Sequence, residues 1–97
     1  MDKKNTSEDY IAYHNKLRIL RMPVNHASII FYLHTNKNAE QKDMKGPLQM
    51  SGNVICNAMR ILIAQGYVEQ TRIDNIGANR KQHNLTKYGK KAAEVLL

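Results

Sequence analysis

The sequence predicts a mostly helical domain that contains one β-hairpin, with its elements in the order α-α-α-α-β-β-α. Three observations lead to this α+β class. Helical patterns fill most of the chain before Gly66, and a hairpin pattern rich in β-forming residues follows over residues 67–85. A last helical stripe then runs to about residue 96. Helices, a hairpin and a closing helix in this order are typical of a winged helix-turn-helix.

The first two helices are predicted from capping residues and helix stops. Residues 1–7 are polar and charged and are expected to be flexible. The first helix is expected over about residues 8–21, and Pro23 closes it because a proline disfavours the α conformation in the residue before it. Asn25 is expected to cap a second helix, which is apolar nearly all round and therefore belongs in the middle of the domain.

The third helix is predicted to be short and to cover residues 39–45. Gly46 followed by Pro47 is a strong stop signal. After that stop, Leu48 and Met50 are expected to enter the core as the turn of a helix-turn-helix pair.

The fourth helix, residues 51–65, has the clearest pattern. Ser51 is expected to cap its start, and Gly66 is expected to end it in a left-handed conformation. Four apolar residues recur at helical spacing and predict a core-facing stripe: they are Ile55, Ala58, Met59 and Leu62. The opposite face carries no acid, and its residues are Asn53, Asn57, Arg60 and Ala64.

The hairpin is expected to form a basic wing over residues 72–83. Its cations are Arg72, Arg80 and Lys81, of which Arg80 can instead pair with Asp74. The turn between the strands is expected to use Asp74, Asn75, Gly77 and Asn79. Thr86 is expected to cap the last helix, residues 87–96, whose predicted core stripe is Tyr88, Ala92, Val95 and Leu96.

Charge and composition restrict the classes of function. Residues 1–97 form one domain of globular composition, with 15 basic against 8 acidic residues and a formal charge of +7. A basic surface of this kind attracts polyanions. No apolar run is long enough to span a membrane and no signal peptide is recognisable, so a cytoplasmic protein without a membrane partner is expected.

Catalytic and metal sites are not indicated. The sequence has no glycine-rich phosphate loop or nucleophile elbow, so no enzyme activity, catalytic residue or cofactor is expected. The four histidines lack helical pairing with one another, and the single cysteine, Cys56, excludes a cysteine-built metal site. A redox role for Cys56 has no nearby base to support it. A small-molecule effector is left open, although no pattern requires one.

The carboxyl-terminal half resembles the multiple-antibiotic-resistance regulator (MarR) family of bacterial winged-helix transcription factors. The resemblance covers residues 51–89: a serine-capped helix ends in a Leu-x-x-x-Gly-hydrophobic-Val step from Leu62 to Val68, and the wing runs into Leu85-Thr86-x-x-Gly89. The chain departs from the family at Gly46-Pro47, which interrupt the first helix of the helix-turn-helix. It also ends about one helix short of the family's dimerising terminal helices, so its dimer is expected to be built differently.

These features predict a sequence-specific regulator, most simply a repressor of bacterial, plasmid or phage origin, that binds double-stranded DNA as a homodimer. Helix 51–65 would read the major groove and wing 72–83 the backbone or minor groove. The expected DNA-contacting residues are Ser51, Asn53, Val54, Asn57, Arg60, Arg72, Arg80 and Lys81. The alternative is a winged-helix module that binds protein within a replication or segregation assembly, which an exposed Val54 and Ile61 would favour.

Overall fold

The computed structural model describes residues 7–75 and 78–96 and has the predicted order of elements. The five helices are α1 (Ser7–Leu20), α2 (Val24–Thr35), α3 (Gln41–Leu48), α4 (Gly52–Ala64) and α5 (Lys87–Leu96), and the two strands are β1 (Val68–Asn75) and β2 (Ala78–Leu85). The winged helix-turn-helix class is therefore confirmed. The segment expected to be flexible lies outside the described residues, except for Ser7, which begins α1.

Helix α2 lies at the centre of the domain and packs against α3, α4, α5 and β2. Its buried residues are Ala27, Ile29, Ile30 and Leu33. The predicted cap at Asn25 is wrong, because α2 starts two residues earlier, at Val24, and Pro23 is its N-cap. Pro23 is extended, at φ −62° and ψ 152°, and its carbonyl accepts the first helical hydrogen bonds from the N–H groups of His26 and Ala27.

Helix α3 corrects the predicted stop, because it continues through Gly46 and Pro47 to Leu48. A proline inside a helix leaves the carbonyl four residues earlier without its N–H partner. Here that carbonyl belongs to Asp43, and the Tyr32 hydroxyl of α2 donates to it at 3.4 Å. A residue with a Cβ before proline is forced out of the α conformation, and glycine at position 46 reduces that conflict.

The ends of α3 also differ from the prediction. Glu40 forms a reciprocal capping box with Asp43, whose carboxylate accepts from the Glu40 N–H at 3.1 Å. Ala39, expected to begin this helix, instead pairs with His83 of β2 through two backbone hydrogen bonds of 2.7 and 3.2 Å. The C-cap residue after Leu48 is Gln49, which is left-handed at φ 53°. Leu48 and Met50 pack against the core as expected.

Helix α4 agrees with its prediction in both caps and in both faces. The Val54 N–H donates to the Ser51 hydroxyl at 3.2 Å, and Gly66 is left-handed at φ 86°. All four residues of the predicted apolar stripe are buried, and all four residues of the opposite face are exposed.

The strands of the hairpin are longer than predicted. The strands pair antiparallel from Val68 opposite Leu85 to Asn75 opposite Ala78. Asp74, Asn75 and Asn79 therefore belong to the strands, which corrects their assignment to the turn. Gly77 lies outside the described residues.

Helix α5 begins at its predicted cap but turns a different face to the core. The Thr86 hydroxyl accepts from the Gly89 N–H at 3.0 Å and donates to the Gly66 carbonyl at 2.6 Å. The buried residues are Gly89, Ala92, Ala93 and Leu96. Tyr88 and Val95, predicted to be in the core, are 57% and 50% exposed. The reason is a close approach: a Cβ at position 89 would collide with the Tyr67 carbonyl.

Candidate nucleic-acid interface

The outer face of α4 presents polar side chains that the fold itself does not use. Asn53, Asn57 and Arg60 are exposed, and α4 contains no acidic residue. In the part of the chain that the structure describes, none of these three side chains has a hydrogen-bond or ion-pair partner. Amide and guanidinium groups can each form two parallel hydrogen bonds with a planar partner. The face is therefore chemically able to bind an external hydrogen-bonding ligand.

The amino end of α4 carries a cation that the sequence interpretation missed. The stem of Lys45 lies against Gly52: an ideal Cβ built at Gly52 would stand 3.2 Å from Lys45 Cε and 3.5 Å from Nζ. The start of a helix carries a partial positive charge, so an ammonium group there is unfavourable until an anion binds. Lys45 would have been recognised had α3 been predicted to continue to Leu48. This end of α4 suits a phosphate group, with Ser51 beside it.

A groove of about 310 Å³ separates α4 from the hairpin. Arg60 of α4 and Lys81 of β2 both line it, so the structure brings together two of the predicted site residues from different elements. Gln41 and Gln70 contribute amides to the same groove, and the exposed Cys56 lies on the α4 side. The groove combines cations with neutral hydrogen-bonding groups.

The hairpin places two of its cations directly opposite each other. Arg72 and Lys81 are cross-strand partners, and both are exposed. Like charges in this position destabilise a hairpin slightly unless an anion neutralises them. Arg80 lies opposite Ile73 in the backbone register. The side chains of Asp74 and Arg80, and hence their predicted pairing, lie outside the described residues.

A buried histidine fastens the hairpin to the start of the helix-turn-helix. His83 is 1% exposed, its Nδ1 lies 3.3 Å from the Ala39 carbonyl and its Nε2 lies 3.2 Å from Gln70 Oε1. Since a carbonyl can only accept, Nδ1 carries the proton of the neutral ring, and Nε2 then accepts from the Gln70 side chain, whose amide N–H group must take the place of Oε1 at this position. Burial lowers the pKa of His83, the bond to Ala39 partly opposes that shift, and Lys81 adds to it. The imidazole is therefore a neutral structural group at pH 7.

A pair of asparagines reinforces this attachment. Asn84 Oδ1 accepts from the Asn38 N–H at 2.8 Å, and Asn84 Nδ2 donates to Asn38 Oδ1 at 2.9 Å. With the bridge between Ala39 and His83, these bonds tie β2 to the segment that leads into α3. The position of the wing relative to the helix-turn-helix is therefore fixed by contacts between residues more than 40 positions apart.

The described residues offer neither a metal-binding cluster nor a membrane span. Within residues 7–75 and 78–96, no group of three histidine, cysteine, aspartate or glutamate residues is placed to hold a metal ion. No helix in the same ranges is both long enough and apolar enough to cross a membrane.

Comparison with known proteins identifies solved structures that have the same fold. No protein-family model and no curated protein matches the chain. Among solved structures, a point mutant of MepR from S. aureus bound to an oligodeoxyribonucleotide superposes with a TM-score of 0.84 and 24% identity, over 92% of this chain and 65% of that one. A second structure, the S. aureus MepR–DNA complex, gives a TM-score of 0.80 and 22% identity, over 90% and 71% of the two chains.

The structure of a second regulator, from another organism, is also similar to this chain. Wild-type MarR from E. coli in its apo form gives a TM-score of 0.78 at 15% identity, over 88% of this chain and 62% of that one. The chain thus spans about two thirds of the length of these structures. It has the winged-helix fold of the MarR-type transcriptional regulators, as its motifs predicted.

Proposed function

We propose that the chain is a transcription regulator that binds double-stranded DNA in a sequence-specific manner, with α4 in the major groove. The observation that carries the proposal is the outer face of α4, whose amides and guanidinium are exposed, without acid and without partners in the described fold. The same fold is bound to DNA in the MepR complex. A formal charge of +7 favours association with a polyanion.

Each polar residue of α4 has a role that follows from its chemistry. In the major groove, asparagine pairs bidentately with adenine and arginine with guanine. Asn53 and Asn57 would therefore read adenine, and Arg60 would read guanine. Ser51, the free N–H groups at the helix start and Lys45 would hold a phosphate and thereby fix the helix in register.

The hairpin would contact the DNA next to the recognition helix. Arg72 and Lys81 are exposed and opposite each other, so a phosphate or the negative potential of a minor groove would relieve their repulsion. Arg80 precedes Lys81 on β2, and since successive residues of a strand alternate between its faces, we assign it to a separate contact with the DNA backbone. The groove shared by Arg60 and Lys81 supports a single surface that continues from α4 to the wing.

Repression by a homodimer is the simplest mechanism for such a surface. Two recognition helices in successive major grooves would lie about 34 Å apart, and the bound dimer would block polymerase sterically. The target would then be an inverted repeat, because a twofold dimer binds two equivalent half-sites.

A protein-binding module is the second candidate, because Val54 and Ile61 of α4 are 38% and 45% exposed. The two functions differ in their response to salt. DNA binding releases counterions and weakens steeply between about 50 and 200 mM salt, whereas an apolar protein contact does not.

The test is to select DNA fragments from the source genome with the purified protein, at about 50 and about 200 mM salt, and to sequence them. We expect weaker total binding at the higher salt, with a short inverted repeat retained. The control is the Lys45→Ala variant, which should recover the same repeat with lower affinity, since a phosphate contact carries no sequence information. Fragments without a common motif, lost entirely at the higher salt, would contradict the proposal.

A further inference from the structure

The first turn of α4 contains one exposed apolar side chain among polar ones. Val54 follows Asn53 and precedes Asn57 by three residues, and its side chain is 38% exposed. Its backbone N–H is used by the Ser51 cap, which fixes this turn of the helix. The side chain therefore has a defined position at the end of α4 that enters the groove in helix-turn-helix complexes.

The chemistry of the major groove offers one apolar partner. All four bases present hydrogen-bonding groups there, and only thymine also carries a methyl group, at C5. The isopropyl side chain of valine forms no hydrogen bond with any base, but it can bury apolar surface against the methyl group of thymine. We propose that Val54 selects thymine by contacting its 5-methyl group, an inference that rests on the proposed function.

The neighbouring residue limits where that thymine lies. Residues three apart on a helix have Cβ atoms about 5–6 Å apart, and successive bases of one strand are about 3.4 Å apart along the DNA axis. Val54 and Asn57 therefore contact base pairs that are adjacent or separated by one. The half-site contains a thymine within two base pairs of the adenine that Asn57 reads.

The other exposed apolar residue of α4 does not share this contact. Ile61 follows Val54 by seven residues, which is about 10 Å along the helix axis, and it lies in the half of α4 away from the Ser51 cap. An unspecific effect of apolar residues on α4 would involve both positions. A thymine contact involves Val54 alone.

The experiment replaces single thymines of the selected half-site with deoxyuridine, which removes only the 5-methyl group. One buried methyl or methylene is worth about 0.8 kcal/mol, or about fourfold in affinity. We expect the wild-type protein to bind about fourfold more weakly when one thymine within two base pairs of the Asn57 adenine is replaced. Replacement of thymines outside the half-site should have no effect.

Two variants assign the effect to a residue. Val54→Ala should bind the thymine site more weakly and should lose the difference between thymine and uracil, as a double-mutant cycle requires. Val95→Ala makes the same chemical change at an exposed position on α5 and should keep the fourfold difference, as should Ile61→Ala. Equal thermal unfolding of the three variants would show that they are folded.

The outcomes separate this inference from the proposed function. If the protein binds a preferred sequence but tolerates uracil at every thymine, Val54 does not contact a thymine methyl group. The same conclusion follows if the Val54→Ala variant keeps the fourfold difference. A partner protein on Val54 would give the same methyl-insensitive result. A protein that selects no sequence at all would refute the proposed function and this inference together.

Discussion

Helices α4 and α5 flank the same hairpin, and both start with a hydroxyl cap, Ser51 in one and Thr86 in the other. They face the core in different ways. Helix α4 buries large side chains, including Ile55, Met59 and Leu62, whereas α5 buries Gly89, Ala92, Ala93 and Leu96. An apolar stripe predicts the buried face when side chains fill the space between elements. It fails when two backbones approach closely, because small residues then mark the contact.

The outward faces differ as well. The outer face of α4 has amides, one guanidinium and Val54, with no acid. The outer face of α5 has three lysines with Glu94, and the exposed ring of Tyr88 stacks on Tyr67 at a centroid distance of 4.8 Å. Charge alone would therefore favour α5 as the DNA-binding element, whereas the type and position of the polar groups favour α4.

The largest expected effect is at Gly89. A Cβ there would collide with the Tyr67 carbonyl and would stand 3.2 Å from Leu85 Cδ2, and a backbone atom cannot move aside without shifting the strand. Gly89→Ala should lower the free energy of unfolding by about 3 kcal/mol or more, at the top of the usual range for overpacking because the obstacle is backbone, measured by urea denaturation. The control is Gly52→Ala on α4, where only the flexible Lys45 stem must move. Equal effects of the two variants would contradict the close-packing account of α5.

The second prediction compares the loss of stability when a buried and an exposed residue of α4, adjacent in sequence, are each replaced by alanine. Leu62 is fully buried and Ile61 is 45% exposed. Leu62→Ala should cost about 2–5 kcal/mol, because it removes buried apolar surface and leaves a cavity. Ile61→Ala should change stability by about 0.5 kcal/mol or less. Thermal unfolding of both variants measures the difference, and a large loss at Ile61 would mean that this edge of α4 is covered.

The smallest expected effect is the pH dependence of stability that arises from His83, in the hairpin between the two helices. Burial lowers the pKa of His83 below its ordinary value of 6.5, so the unfolded chain binds more protons than the folded one. The stabilising contribution is complete above about pH 6.5 and is lost as the pH falls toward the lower pKa of the folded state. Burial shifts the pKa of His26 in the same direction.

The measurement is the urea midpoint at several pH values between about 7 and 5, the range in which histidine titrates. The wild-type protein should become less stable as the pH falls, and His83→Gln should show a shallower decline, with His26 supplying the remainder. The same slope in both proteins would mean that His83 does not titrate with folding.

The sequence predicted those features that depend on nearby residues. The caps at Ser51 and Thr86, the turn at Gly66 and both faces of α4 are encoded within one or two helical turns. The features that it did not predict depend on distant partners. Helix α3 includes Pro47, and the Asp43 carbonyl that Pro47 leaves without an N–H partner accepts from Tyr32 of α2. Helix α5 turns its small residues to the core where Gly89 lies against the Tyr67 carbonyl.

The same distinction applies to the candidate site. The polar face of α4 was recognised from spacing alone, and the structure confirms that Asn53, Asn57 and Arg60 are exposed. Their contact with DNA stays a prediction. Lys45 was missed because its position at the start of α4 follows from the uninterrupted α3, and the burial of His83 follows from its pairing with Ala39, 44 residues away. Single-residue patterns carry no information about either contact.

The proposed function requires that the outer face of α4, rather than general basic charge, selects the DNA sequence. The most direct measurement is the ratio of affinities for the selected site and for random DNA, compared between Asn57→Ala/Arg60→Ala and the charge-matched variant Lys87→Ala of α5. Each base contact contributes about 1–3 kcal/mol of discrimination, so the α4 double variant should lower the ratio at least about tenfold, while Lys87→Ala leaves it unchanged. An unchanged ratio in the α4 variant, with both proteins folded, would contradict the claim.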